Sequence, residues 1–193
     1  MRVLVVFAHP VESSFAAALH KTTVDALAAA GHEVDDCDLY AEGFNPVLSR
    51  QERLNYHDEE VCTKPVQEYV DRVRAADGLV LNFPVWNFGY PAILKGFFDR
   101  VFLPGVSFAL KDGRAWPILH NIRKLVAVVT YGGDRWRARL MGDPPRKSVK
   151  RVLRAVIHPT ARTRYLALYD MNRNDEATLQ AFLDRVSREL RGF

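Results

Sequence analysis

Residues 83–102 read Phe83-Pro84-Val85-Trp86-Asn87-Phe88-Gly89-Tyr90-Pro91-Ala92-Ile93-Leu94-Lys95-Gly96-Phe97-Phe98-Asp99-Arg100-Val101-Phe102, and this stretch decides the fold. Just upstream, Gly78-Leu79-Val80-Leu81-Asn82-Phe83 is an apolar run of buried-strand length, bounded by Asp77-Gly78 and Pro84. Downstream, Ile93, Leu94, Phe97, Phe98, Val101 and Phe102 recur at helical spacing. Pro91 stands in the first helical turn, where its missing N–H costs nothing. The stretch is therefore strand, loop and helix. The loop holds Trp86, Phe88 and Tyr90 beside Pro84 and Gly89. Flat side chains gathered at the carboxyl end of a strand suit a planar ligand. They serve equally to cap a core, and the residues alone leave both readings open.

Two other strand ends carry comparable signals. Val3 to Phe7 reads as a buried strand that opens into Ala8-His9-Pro10-Val11-Glu12-Ser13-Ser14-Phe15. The helix that follows has Phe15, Leu19, Thr23, Ala26, Leu27 and Ala30 on its apolar side, and Gly31 stops it. Free N–H groups and the helix dipole make its start an anion site, to which the Ser13 and Ser14 hydroxyls add donors. Both serines are also ordinary helix caps. No GxGxxG or Walker glycine set is present, so neither a dinucleotide-binding Rossmann loop nor a P-loop is supported. Lys124 to Thr130 is a further buried strand, and Tyr131-Gly132-Gly133 at its end allows close backbone approach to a ligand or a simple strand-to-helix turn.

The remaining segments complete an alternating pattern. His32 to Tyr40 suits a short strand near a sheet edge, and its Asp35, Asp36 and Asp38 lack the glycine and distal glutamate of a calcium loop, so no metal site is predicted. Residues 49–60 are polar and read as a surface helix or loop covering part of the site. Lys64 to Ala76 makes a helix with Val66, Tyr69, Val70 and Val73 inward. Asp112-Gly113 marks a hairpin within Val106 to Ile118. Arg146 to Ile157 is helical with Val149, Val152, Leu153, Val156 and Ile157 inward, and its basic face reads as solvated. Arg162 to Tyr169 is a fifth strand, and Asn174 caps a last helix carrying Leu179, Phe182, Leu183, Val186 and Leu190 on one face.

Five apolar strands alternating with helices require a parallel sheet covered on both faces, a three-layer α/β arrangement. Right-handed crossovers leave the flavodoxin-like order 2-1-3-4-5. The 193 residues are expected to form one domain, residues 1–193. The net charge is +4, with 20 arginines among the 27 basic residues. That balance favours anionic ligands and is too small to argue for nucleic acid. Cys37 and Cys62 have no metal-ligand or redox spacing and read as buried free thiols of a reducing cytoplasm. The first apolar run is too short for a signal or membrane helix, so export and membrane insertion are not expected.

The loop and helix at 83–102 closely resemble the flavin-binding segment of the flavodoxin-like NAD(P)H:quinone oxidoreductases, the DT-diaphorase family, in the pattern Phe-Pro-x-x-x-Phe-Gly-x-Pro-Ala-Ile-Leu-Lys-Gly-Phe-Phe-Asp-Arg-Val-Phe. Ala-His-Pro-x-x-x-Ser-Phe resembles that family's phosphate loop. Asn45 to Glu52 resembles its Phe-Asn-Pro-x-x-Ser-Arg segment. The resemblance implies a tightly bound flavin, FMN or FAD, held by His9, Ser13, Ser14, Phe15, Ala16, Pro84, Val85, Trp86, Asn87, Phe88, Thr130, Tyr131, Gly132 and Gly133. It also implies NADH or NADPH as donor, a quinone-like acceptor, ping-pong hydride transfer and a homodimer. Three positions depart from the family: Ala16 replaces an asparagine, Asn87 a tryptophan and Tyr131 a threonine. Family members often follow the Gly-Gly pair with a tyrosine and a histidine that assist charge on the reduced flavin. Asp134-Arg135-Trp136-Arg137 stands there instead, so Arg135 or Arg137, with Tyr131, is expected to act catalytically, and solvated arginines or arginines that bind the donor's phosphate are the open alternative. Two alternatives share the fold: a flavodoxin-type electron carrier, and an ancillary flavoprotein subunit of a potassium-efflux system.

Overall fold

The computed structural model describes residues 1–193. Five strands, β1 (Arg2–Phe7), β2 (Glu33–Asp38), β3 (Gly78–Val85), β6 (Lys124–Tyr131) and β7 (Arg162–Leu168), form one parallel sheet in the order β2-β1-β3-β6-β7. This is the predicted 2-1-3-4-5 order. A separate antiparallel hairpin, β4 (Phe108–Lys111) and β5 (Arg114–Pro117), turns at Asp112 and Gly113, whose φ angles of 51° and 72° are those of a tight hairpin turn. No helix is long and apolar enough to cross a membrane.

Alternation along the central strands assigns side chains to two faces. Leu79, Leu81 and Phe83 of β3, with Leu125, Ala127 and Val129 of β6, pack under α3 (Gln67–Ala75) and α4 (Ala92–Val101). Val80, Val126 and Val128 face α1 (Phe15–Ala29) and α8 (Glu176–Arg191), meeting Leu19, Leu27, Phe182, Val186 and Leu190. Full burial of a side chain such as Phe97 contributes about 1.5–3 kcal/mol. A Cβ on Gly96 would overlap the backbone of Pro46, so α4 can lie this close to the 45–48 segment only with glycine there.

Several local expectations are corrected. The central strand does not stop at Phe83 but runs through Pro84 and Val85. The Ala8 N–H donates to the Asn82 carbonyl, so Asn82, and Pro84 two residues on, face the side where β1 has already ended, and no ladder donor is missed. Pro91 is the residue before α4 rather than in its first turn. Ala30 is exposed beyond the end of α1. Helix α3 begins at Gln67, after a 3₁₀ turn at Lys64–Val66. Asp175, not Asn174, caps α8, accepting from the Thr178 N–H at 2.9 Å, while the Asn174 amide donates to the Tyr169 carbonyl. Val152 is 61% exposed, because Ser148–Leu153 winds as a π-helix between α6 (Pro144–Lys147) and α7 (Arg154–Val156) and shifts the phase of the apolar stripe.

None of the polar residues 49–60 lines the cavity at the carboxyl edge of the sheet. Their helix α2 (Arg50–Leu54) starts on a capping box formed by Ser49 and Glu52, and Glu52 pairs with the buried Arg100 of α4 at 2.5 Å. Burial alone would raise the Glu52 carboxyl, but hydrogen bonds from Ser49 and Arg100 outweigh it and hold it below its ordinary value. Arg100 also donates to the Asn45 carbonyl and lies over the Phe44 ring. Cys37 and Cys62 are buried free thiols, as expected.

Candidate functional site

The carboxyl ends of β1, β3 and β6 converge on a cavity of about 200 Å³. His9, Ser14, Phe15 and Ala16 line it from the first loop, Pro84, Val85 and Trp86 from the third strand's end, and Thr130 and Gly132 from β6. Met171 and Asn172 close it from beyond β7.

Each wall follows from local chemistry. Ser14 is the N-cap of α1, its hydroxyl accepting from the Ala17 N–H at 3.1 Å. Phe15 and Ala16, the first two residues of the helix, have N–H groups with no intrahelical acceptor. The Val11 N–H donates to His9 Nδ1 at 3.1 Å, and the Ser14 hydroxyl lies 3.0 Å from the same nitrogen. Because Nδ1 accepts, Nε2 carries the imidazole proton and is free to donate. The helix N-terminus and the imidazole Nε2–H together make an anion cradle in the cavity, while the Ser14 hydroxyl donates its proton to His9 Nδ1 and fixes the ring. Beside it, Pro84, Val85 and Trp86 present an apolar wall, with the Trp86 ring 5.8 Å from His9. This donor set fits a phosphate-bearing planar cofactor.

The rim of the cavity is a strained turn. Trp86 and Gly89 exchange backbone hydrogen bonds, the shorter 2.8 Å, and the two residues between them have positive φ, Asn87 at 48° and Phe88 at 57°. That is a type I′ geometry, which Asn tolerates and Phe does not. The left-handed conformation costs about 1–2 kcal/mol at Phe88. Phe88 and Trp86 are both about two-fifths exposed, at 41% and 42%.

Ser13 is exposed, one residue before the cap, and Asn87 and Phe88 form the turn tip. Gly133 is half-buried and accepts from the Asp170 N–H at 3.0 Å. None of these four lines the cavity.

Tyr131 departs further from expectation. Strand alternation turns Thr130 toward α1 and Tyr131 to the opposite face, where it is 3% exposed. Its hydroxyl donates to Asp143 Oδ1 at 2.6 Å and accepts from the Tyr165 hydroxyl at 2.6 Å, and its ring stacks on Tyr169 at 4.5 Å. Arg146 completes the cluster, donating to Asp143 at 2.8 Å and to the Tyr169 hydroxyl at 2.7 Å while lying over the Tyr165 ring. Burial first, then the neighbouring carboxylate and phenol, push the Tyr131 hydroxyl far above its ordinary value.

The two arginines are also displaced from the expected site. Arg137 is exposed and paired with Asp134 at 3.3 Å, on the first turn of α5 (Arg135–Leu140). Arg135 lines a different cavity with Arg139, Arg146 and Lys147. Neither reaches the cavity of His9 and Ser14. Met171 and Asn172 escaped the sequence reading, and the one signal for them was their place just past the carboxyl end of the fifth strand.

Comparison with known proteins gives this architecture its family. Residues 1–190 match a family model described as a flavodoxin-like fold. The chain belongs to this flavodoxin-like family. The rat NAD(P)H dehydrogenase [quinone] 1 is 33% identical over 147 residues, covering 68% of this flavodoxin-like chain and 54% of the rat protein. A ribosyldihydronicotinamide dehydrogenase-like protein of Penicillium crustosum is 30% identical over 168 residues, 75% of this chain and 63% of that protein. The chain thus matches between half and two thirds of the length of these curated relatives. Among solved structures, the NAD(P)H:quinone oxidoreductase from Methanothermobacter marburgensis superposes with a TM-score of 0.82 at 26% identity, covering 99% of this chain and 98% of that one.

Proposed function

We propose that this flavodoxin-like protein is a flavin-dependent oxidoreductase that takes hydride from NADH or NADPH and passes electrons to a quinone or similar small acceptor. The observation that carries the reading is the cavity at the ends of β1, β3 and β6, where an anion cradle adjoins an apolar wall. The names of the sequence relatives agree with it.

A bound flavin supplies the hydride chemistry, and the protein's part is to hold and orient it. The first N–H groups of α1 and His9 Nε2 would hold the phosphate of FMN or FAD, with Ser14 capping the helix and orienting the imidazole. Pro84, Val85 and Trp86 would support the ring, and the Gly132 backbone, which lines the cavity beside the Asn172 side chain, would approach its polar edge. Donor and acceptor would then use one face in turn, a ping-pong exchange.

The cavity is smaller than the ~300–1,000 Å³ usual for ligand sites, and Trp86 and Phe88 stand exposed at its rim. A second subunit covering that rim would complete the pocket, so the active form is proposed to be a homodimer.

The test is direct. Purified protein should show flavin absorbance, and chromatography of the released cofactor distinguishes FMN from FAD. Anaerobic NAD(P)H should bleach it, a quinone should restore it, and double-reciprocal plots should be parallel. A colourless protein that fails to take up added FMN or FAD would refute the flavin reading, and intersecting lines would refute the shared site. Activity of the protein alone also separates an enzyme from an ancillary subunit. A monomeric mass at micromolar concentration would count against the dimer.

A further inference from the structure

A second cavity, about 400 Å³, lies beside the first. Arg135, Arg139, Arg146 and Lys147 line it, with Asp143 as the one carboxylate. Asp143 is already engaged by Arg146 at 2.8 Å and by the Tyr131 hydroxyl at 2.6 Å. Arg135, Arg139 and Lys147 have no carboxylate within 4.0 Å. They therefore point uncompensated charge at one concave space, an arrangement that costs self-repulsion until an anion enters. Arg135 and Arg139 are one helical turn apart on α5 and share a face.

The two cavities are joined by the same pair of segments. Gly132 lines the first cavity and Arg135 the second, and the intervening Gly133 carbonyl accepts from the Asp170 N–H at 3.0 Å. On the other segment, Tyr169 lines the basic cavity and Met171 the first. A donor whose reactive ring lay against a flavin held in the first cavity would have its anionic portion carried over this shared wall into the second.

We propose that the Arg135–Arg139–Lys147 cavity is a phosphate site that holds the phosphates of the reduced nicotinamide donor. The inference rests on the oxidoreductase reading above for the identity of the donor. Phosphate is the chemistry that guanidinium forks and an ammonium group recognise together. Either the pyrophosphate or the 2′-phosphate supplies it.

The test uses the holoprotein with three donors: NADPH, NADH and the phosphate-free dihydronicotinamide riboside. In Arg135→Gln, Arg139→Gln and Lys147→Gln, the KM for NADPH should rise about tenfold each with kcat retained, the usual size for loss of one charge-assisted contact. The riboside KM should stay unchanged in all three. An equal rise for NADH assigns the pyrophosphate, and a rise for NADPH alone assigns the 2′-phosphate. Calorimetric titration with inorganic pyrophosphate should show binding that weakens in the same variants, whereas Arg188→Gln, which alters net charge equally at an exposed position of α8, should change nothing. Unchanged donor KM values, a parallel rise for the riboside, or a rise confined to an anionic acceptor would overturn the proposal. If the wild-type protein oxidises no donor, the oxidoreductase reading fails instead. The titration then decides the phosphate site by itself, and absence of pyrophosphate binding overturns it.

Discussion

Thr130 and Tyr131 are neighbours at the end of one strand, yet they belong to regions built in opposite ways. On the Thr130 side, donors are left open: the first N–H groups of α1 and His9 Nε2 face a cavity, and its rim carries a strained turn at Phe88. On the Tyr131 side every phenol and charge of the cluster is engaged, through Asp143, Tyr165, Tyr169 and Arg146. Unspent hydrogen-bonding capacity marks a place prepared for a ligand, while closed networks mark structure. Tyr131, beside a glycine pair in sequence, therefore stands outside the first cavity. Its position in the pleat, not its proximity in sequence, sets its role.

The largest effect should come from closing the open side. Ser14→Glu places a like charge in the anion cradle, and the variant should purify without flavin, its affinity reduced more than 100-fold, while circular dichroism shows an intact fold. Retention of flavin would move the phosphate site elsewhere.

On the closed side, Tyr131→Phe strips partners from the Tyr165 hydroxyl and Asp143 and should lower stability by about 1–3 kcal/mol in urea titrations, with flavin affinity kept. Lost flavin with unchanged stability would erase the contrast between the two sides.

The same cluster sets an alkaline limit. Burial, the leading cause, raises both Tyr131 and Tyr165 above the ordinary phenol value. The fold therefore holds these protons more firmly than the unfolded chain. Their contribution is complete below the unfolded tyrosine value near ~10, and it is lost as pH rises above that, by about 1.4 kcal/mol per pH unit for each group. Tyr131→Phe should flatten this limb. A limb of wild-type steepness would mean that other groups release the protons.

The smallest effect belongs to the rim. Phe88→Gly removes the left-handed penalty, at the cost of greater freedom in the unfolded chain, and should raise stability by no more than about 1 kcal/mol. If Phe88 also shapes acceptor entry, the variant should gain stability while its kcat/KM for quinone falls. A loss of stability would show that packing of the ring outweighs the strain.

Much of this protein was determined by its sequence. Apolar runs at Val3–Phe7, Gly78–Phe83 and Lys124–Thr130 had to be buried strands, and helices between them left little choice but a doubly covered parallel sheet. The cavity walls at His9, Ser14 and Trp86 were legible too, because loops at strand ends face a common edge. Tertiary structure alone decided which way Tyr131 points and that Arg135 and Arg137 stand outside the first cavity. It alone also brought Met171 and Asn172 into that cavity and Arg139 to Lys147 in the next. The physical reason is range. Strand and helix periodicity follow from contacts a few residues apart, whereas a side chain's partner, and hence its role, depends on groups the chain supplies many residues away.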